Sequence, residues 1–271
     1  MAAGAAPKAA TRGWALVTGA SGGIGRELAR LAAADGHDLV LVARSADALG
    51  ALATELATRH PIEVLPVELD LARREATAEL IARLATRAIV PEILINNAGV
   101  GRYGLQRDTR LEDELALLEL NVGTLTRLTK RLLPEFLARS SGRILNVAST
   151  AAFQPGPYMA VYYASKAYVM SFSEALAWEV RGSGVTVTTL CPGPTATGFQ
   201  ARAGSLRPTA IAGGLVPVAR AADVARAGYR AMLAGRGLVI PGATNRLLVE
   251  SLRFLPRRLA TAAVARMARP R

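Results

Sequence analysis

A glycine cluster, Thr18-Gly19-Ala20-Ser21-Gly22-Gly23-Ile24-Gly25, sits between a short apolar run, Trp14–Thr18, and a helical pattern over residues 25–34. Glycine reaches backbone conformations that strain other residues, so this stretch specifies a tight strand-to-helix turn. The alternation then repeats. Residues 39–43 read as a buried strand and 47–59 as a helix; 62–69 and 74–86 repeat the pair. A strand at 93–95 precedes a long helical region, 111–138, with a kink expected near Pro134. Residues 143–147 form the next strand, 158–181 a long helix and 185–190 a sixth strand. After Pro192 the pattern loosens, leaving a helix at 221–234 and a short strand at 238–240. Continuously apolar strands alternating with helices imply a parallel sheet covered on both faces. The expected fold class is a single α/β domain, doubly wound, over residues 13–242. Residues 1–12 read as a disordered leader and 243–271 as a basic amphipathic C-terminal extension.

Composition narrows the function classes. The chain has 271 residues, 51% of them hydrophobic, enough for one sizeable core. Its single cysteine, Cys191, excludes an intrachain disulfide and a zinc site built from several cysteines, so no metal site is expected. It also fits a reducing, cytoplasmic compartment. No stretch reads as a membrane span. The net charge is +12, and it is uneven. From residue 243 onward seven arginines (246, 253, 257, 258, 266, 269, 271) face Glu250 alone, a net of +6. That tail lacks the aromatic interleaving of a nucleic-acid platform, so no nucleic-acid partner is expected. It mixes its arginines with Leu247, Leu248, Val249, Leu252, Phe254, Leu255, Leu259, Val264 and Met267, and Pro256 divides it. Such a helix pair can lie on an anionic membrane surface. It can equally pack on a neighbouring subunit or cover a cleft, and packing is the preferred reading.

The glycine turn has the setting of a phosphate cradle. Glycines let the backbone approach a pyrophosphate closely, and the N–H groups at the helix start favour its charge. Gly19, Ser21, Gly22, Gly23, Ile24 and Gly25 are therefore candidate contacts to a dinucleotide cofactor. The same residues match G-x-S-x-G, a hydrolase nucleophile elbow. That chemistry needs a histidine late in the chain, whereas the only histidines are His37 and His60. The second strand ends Val42-Ala43-Arg44-Ser45, with no acid to accept from a ribose 2′-OH. Arg44 can instead fork onto a 2′-phosphate, which points to NADP(H), with Ser45 beside it.

Tyr162 and Lys166 lie four apart on one helical face. A nearby ammonium stabilises a phenolate, so the pair can exchange a proton. Ser149 ends the fifth strand, where a hydroxyl can meet a substrate oxygen or simply close a turn. Asn96-Asn97-Ala98-Gly99 follows the fourth strand at the same edge, and as a bare motif it also suits a turn. Asn121 falls inside a helical pattern despite poor helix propensity, which implies a backbone disturbance or a buried polar role.

From about residue 13 to 242 the sequence resembles the short-chain dehydrogenases/reductases. The matching pieces are Thr18-Gly19-x-x-x-Gly23-x-Gly25, Asp70-Leu71, Asn96-Asn97-Ala98-Gly99, Asn121, Ser149, Tyr162-x-x-x-Lys166 and Pro192-Gly193, in the family's order and spacing. The resemblance implies a Rossmann-type fold and hydride transfer between NADP(H) and a carbonyl or secondary alcohol. It implies that Tyr162 is the proton donor and acceptor, that Lys166 lowers its pKa and binds the nicotinamide ribose, and that Ser149 orients the substrate oxygen. Asn121 would hold a water beside Lys166. Asp70 and Leu71 would meet the adenine, and Asn97, Ala98 and Gly99 the adenosine side. Pro192, Gly193, Thr195 and Thr197 would lie by the carboxamide. Thr195 stands where the family often has Val or Ile. Ser21-Gly22 lacks the extra basic residue of some NADP-preferring members, leaving that preference on Arg44. A variable loop at about 198–218, with Phe199, Leu206, Ile211, Leu215 and Val216, would cover a hydrophobic ketone or 3-oxoacyl-type substrate. Its Arg202 and Arg207 read as solvated surface charge. Family members are often dimers or tetramers built on the long helices. A non-catalytic NADP(H)-binding redox sensor is the alternative function.

Overall fold

A computed structural model describes residues 12–204 and 217–269. The leader reading and most of the variable loop, including Leu206, Arg207, Ile211, Leu215 and Val216, lie outside the described residues. Strand β1 (Trp14–Thr18) feeds helix α1 (Gly23–Ala34), followed by β2 (Asp38–Ala43), α2 (Ala46–Arg59), β3 (Val64–Glu68), α3 (Ala76–Ala85) and β4 (Pro91–Asn96). The second half contains α4 (Leu111–Leu118), a π-helical turn (Glu119–Thr124), α5 (Leu125–Ala138), β5 (Gly142–Val147), α6 (Ala160–Glu179) and β6 (Val185–Leu190). Short β7 (Thr195–Ala196), α7 (Phe199–Arg202) and β8 (Ala219–Arg220) precede α8 (Ala221–Leu233) and β9 (Leu238–Val239). The chain then forms α9 (Ala243–Ser251), a 3₁₀ turn (Leu252–Phe254) and α10 (Arg257–Ala268).

Seven strands make one parallel sheet in the order β3-β2-β1-β4-β5-β6-β9. The period-two geometry of a strand divides its apolar residues between two cores. Ala15, Val17, Leu39, Leu41, Ile93 and Ile95 face α1, α2 and α8, through Leu28, Leu49, Leu56, Val224 and Met232. Leu16, Val40, Val42, Leu94, Ile144 and Val187 face α3, α5 and α6, through Leu80, Leu128, Leu132, Phe136 and Leu176. The chain is thus a doubly wound, Rossmann-like α/β domain. The strand order reverses between β1 and β4, and ligands bind beyond the carboxyl ends of strands at such a point.

Pro134 lies inside α5, whose Leu128, Leu132 and Phe136 pack on the sheet around it. The helical region is interrupted earlier, by the π turn that contains Asn121. One expectation is corrected: the long helix starts at Ala160 rather than Tyr158, whose φ of +67° is outside helical geometry.

Candidate active site

The carboxyl edge around β1, β4, β5 and β6 opens into a cleft of about 580 Å³. At one end Gly19 and Gly23 adopt φ of +66° and +54°, the left-handed region that glycine tolerates. Gly25 meets a different need. A side chain there would collide with the Gly19 carbonyl and the Asn97 amide. That amide staples the turn, its Nδ2 donating to the carbonyls of Thr18 (2.9 Å) and Gly19 (3.2 Å). The buried Thr18 hydroxyl completes the joint. It donates to the Ile95 carbonyl at 3.1 Å and accepts from the Asn97 and Ala98 N–H groups at 3.0 Å each. α1 begins without a side-chain cap, and Gly22, Gly23 and Ile24 line the cleft at its positive end. A backbone cradle free of side chains, at an uncapped helix start, fits a pyrophosphate.

At the same end Arg44 and Ser45 leave β2, and Asp70 and Leu71 follow β3; all four line the cleft. Ser45 also caps α2, accepting from the Ala48 N–H at 3.4 Å. Arg26, on α1, joins them. Its guanidinium donates to the Ser21 carbonyl at 2.6 Å and lies 3.9 Å from where a Gly22 side chain would begin. A cation therefore sits beside Ser21-Gly22 although neither residue is basic.

The other end collects Ser149, Tyr162, Lys166, Pro192, Gly193, Thr195 and Thr197. Ser149 follows β5 and accepts from the Ala151 N–H at 3.1 Å. Tyr162 and Lys166 point from one face of α6, with Nζ 5.9 Å from the phenol ring centre. Nζ donates to the Val147 carbonyl at 2.8 Å. Burial holds the Tyr162 phenol well above the ordinary tyrosine range, while a hydrogen bond with Ser149 pulls the other way. Burial also pushes Lys166 down to about 8. Desolvation dominates at Tyr162 and favours the neutral phenol.

Two candidate residues do not line the cleft. Gly25 lies behind the turn it permits. Asn121 is buried in the π turn, where a widened helical ring frees it to bond sideways. It donates to the Val100 carbonyl (2.9 Å) and Ser165 Oγ (3.0 Å) and accepts from the Val100 N–H (2.9 Å). Gly99 separates it from Lys166; a side chain there would come 3.1 Å from Asn121 Oδ1 and 3.4 Å from Nζ. Behind this layer, Asn96 donates to Asn146 (2.9 Å), which donates to Ser173 (2.8 Å), joining β4, β5 and α6.

A packed apolar cluster adjoins Tyr162, and its Val100 and Phe199 also line the cleft. Phe199 lies 5.3 Å from the Tyr162 ring, and Ala151, Met159, Tyr163, Leu117, Tyr103 and Val100 belong to the same cluster. Val264 and Met267 of α10 join it, and the Tyr103 hydroxyl donates to the Ala268 carbonyl. Buried Asn245 of α9 packs on Gly193. The C-terminal extension thus packs on its own domain beside the cleft. Sequence reading missed Arg26 and the stapling role of Thr18. The signals were a basic residue one turn into α1 and a hydroxyl at the end of the first strand.

Comparison with known proteins agrees with this geometry. Residues 13–207 match the family described as short chain dehydrogenase. A 3-oxoacyl-[acyl-carrier-protein] reductase of Synechocystis sp. is 36% identical over 184 residues, 68% of this chain and 74% of that protein. Mycobacterial relatives at 35% identity are longer, and the matched region spans 69% of this chain but 32% of their length. Among solved structures, a short-chain dehydrogenase from Sphingobium yanoikuyae in complex with NADPH is 32% identical, with a TM-score of 0.80 over 96% of each chain. One from Burkholderia phymatum in complex with NAD is 27% identical, with a TM-score of 0.77 over 90% of this chain and 92% of that one. The chain belongs to the short-chain dehydrogenase family of oxidoreductases, a family that binds nicotinamide cofactors.

Proposed function

We propose that the protein is an NADP(H)-dependent oxidoreductase that reduces a hydrophobic ketone or 3-oxoacyl-type carbonyl to a secondary alcohol. The observation that carries this reading is the convergence of Ser149, Tyr162 and Lys166 on the cleft that also holds the glycine cradle. When bound, the nicotinamide supplies a hydride to the carbonyl carbon. Tyr162 donates its phenolic proton to the carbonyl oxygen, and burial favours the neutral, donating form. Ser149 holds that oxygen by a hydrogen bond. Lys166, protonated below about pH 8, offsets the phenolate left behind and holds the ribose. Asn121 keeps Val100 and α6 in place and positions a water beside Lys166. Asn97, Ala98, Gly99, Asp70 and Leu71 take the adenosine side, and Pro192, Gly193, Thr195 and Thr197 the carboxamide.

The preference for NADP(H) is supported by Arg44 and Arg26 in one end of the cleft, with no acid at the end of β2. The carbonyl's hydrophobic character is supported by Phe199 and Val100, which line the cleft beside Tyr162 and are backed by the apolar cluster of Met159, Tyr103 and Val264. Exposed Leu111, Leu115 and Trp178 on the long helices support a homo-oligomer. A buried free cysteine fits a cytoplasmic location. Among the described residues, no helix is long and apolar enough to cross a membrane.

Absorbance of NADPH and NADH, followed with ketones, 3-oxoacyl thioesters and aldehydes, tests the reading. NADPH is expected to be consumed clearly faster. Binding of NADPH without turnover on any of them would favour the redox-sensor alternative, and failure to bind either cofactor would refute the proposal.

A further inference from the structure

The C-terminal extension has two unlike faces. Ala260, Val264 and Ala268 of α10 and Asn245 and Val249 of α9 are buried on the domain. The outer face is apolar where solvent reaches it most. Phe254, at the junction of the two helices, is 88% exposed, Leu247 71% and Leu259 57%, with Leu248 and Leu255 also exposed. Lone exposed apolar side chains are ordinary, but five within thirteen consecutive residues, from α9 through the 3₁₀ turn to the start of α10, concentrate apolar exposure on one segment and call for a partner. Arg246, Arg257 and Arg258 lie exposed within or beside that stretch, and Arg266 and Arg269 further along α10. The only acid from residue 243 onward is the half-buried Glu250.

We infer that this face docks the protein onto an anionic lipid surface. An amphipathic segment binds there by sinking its apolar residues into the acyl boundary while its cations meet the headgroups. Arginine suits that boundary because its aliphatic stem stays apolar while the guanidinium reaches the phosphates. A second copy of the chain is the poorer occupant. A two-fold contact sets a patch against itself, and this one would bring arginines against arginines. A nucleic acid would satisfy the arginines and leave Leu247, Phe254 and Leu259 without a counterpart. The inner side of the same extension packs in the apolar cluster that contains Tyr162, so docking brings the Tyr162 end of the cleft close to lipid. Only this last consequence rests on the proposed function.

Co-sedimentation of the full chain with lipid vesicles tests the inference without reference to turnover. Binding is expected to vesicles of equal parts phosphatidylglycerol and phosphatidylcholine, to weaken as salt is raised, and to be absent with phosphatidylcholine alone. Arg257→Gln with Arg258→Gln should weaken it by roughly 25-fold, about fivefold for each arginine. Phe254→Ser with Leu259→Ser should weaken it by about tenfold or more with every arginine in place. All four residues are exposed, and an unchanged circular dichroism spectrum and thermal midpoint for each variant confirm its fold. No binding to the mixed vesicles, equal binding to neutral ones, or undiminished binding by either double variant would overturn the inference. So would a dimer that dissociates on Phe254→Ser in a chain that ignores vesicles.

Discussion

At the glycine turn the cleft is lined by backbone groups that two side chains hold in place. Thr18 and Asn97 lace the end of β1 to the end of β4 through five hydrogen bonds, and Gly25 leaves the room they need. At the Tyr162 end the wall is built from side chains far apart in sequence. The Tyr103–Ala268 bond spans 165 positions, and the apolar cluster behind that wall draws on residues from Val100 to Met267. The first end binds what is constant in a dinucleotide, so rigid backbone donors suit it. The second end meets what varies between substrates, so apolar side chains contributed by several segments suit it. One end can therefore be read from local motif, while the other exists only once the chain has folded.

The largest expected effect lies at the second end. Tyr162→Phe keeps the ring and removes the only atom proposed to move a proton. Its kcat should fall by about 10²- to 10⁴-fold, the usual worth of a positioned general acid. NADPH affinity, set mainly at the glycine end, should stay close to that of the native protein. Titration of NADPH fluorescence beside steady-state rates checks both halves. A variant that retains full activity would remove Tyr162 from the chemistry.

A second effect comes from Lys166. Burial lowers its pKa to about 8, so the ammonium is present below that value and lost above it. The phenol is held neutral throughout this range. Reductive kcat/KM should therefore be level on the acid side and fall toward tenfold per pH unit above about pH 8. A profile that stays flat well into the alkaline range would separate Lys166 from the reaction.

The two ends should also part over cofactor choice. Arg44→Ala and Arg26→Ala each remove one cation from the cleft and should raise the KM for NADPH by about tenfold, the loss expected of one charge-assisted contact. KM for NADH should hardly change. Measured with one saturating carbonyl substrate, equal loss with both cofactors would place the arginines away from the 2′-phosphate. Neither substitution should alter the preference among carbonyl substrates.

The legible parts follow the same division. The sheet strands announced themselves because they are apolar throughout, as strands buried on both faces must be. The glycine turn, Asn97, Ser149 and the Tyr162–Lys166 pair were legible because their spacing reflects one strand end or one helix face. Asn121 gave a partial signal: its poor helix propensity marked the disturbance, but not that it is a π turn. The continuation of α5 past Pro134 was legible in its apolar period, since Leu128, Leu132 and Phe136 fall on one face and pack on the sheet. Arg26 was hidden because motif reading stops at Gly25, while its guanidinium reaches back to Ser21. The inward packing of α10 could not be read, because nothing local in 257–268 says which of its faces meets Tyr103 and Phe199.

The smallest effect tests that packing. Val264 is buried in the apolar cluster with Met159, Tyr162 and Phe199. Val264→Ala removes two methyl-sized groups and should cost about 2 kcal/mol of stability, read from the urea midpoint. The cavity it leaves borders the proposed substrate site and not the glycine cradle. KM for a bulky apolar ketone should change severalfold, whereas KM for NADPH should hold. If stability fell and both KM values moved together, α10 would be supporting the whole domain. If only the ketone responded, the extension would be backing the substrate end of the cleft, and the contrast between the two ends would extend to α10.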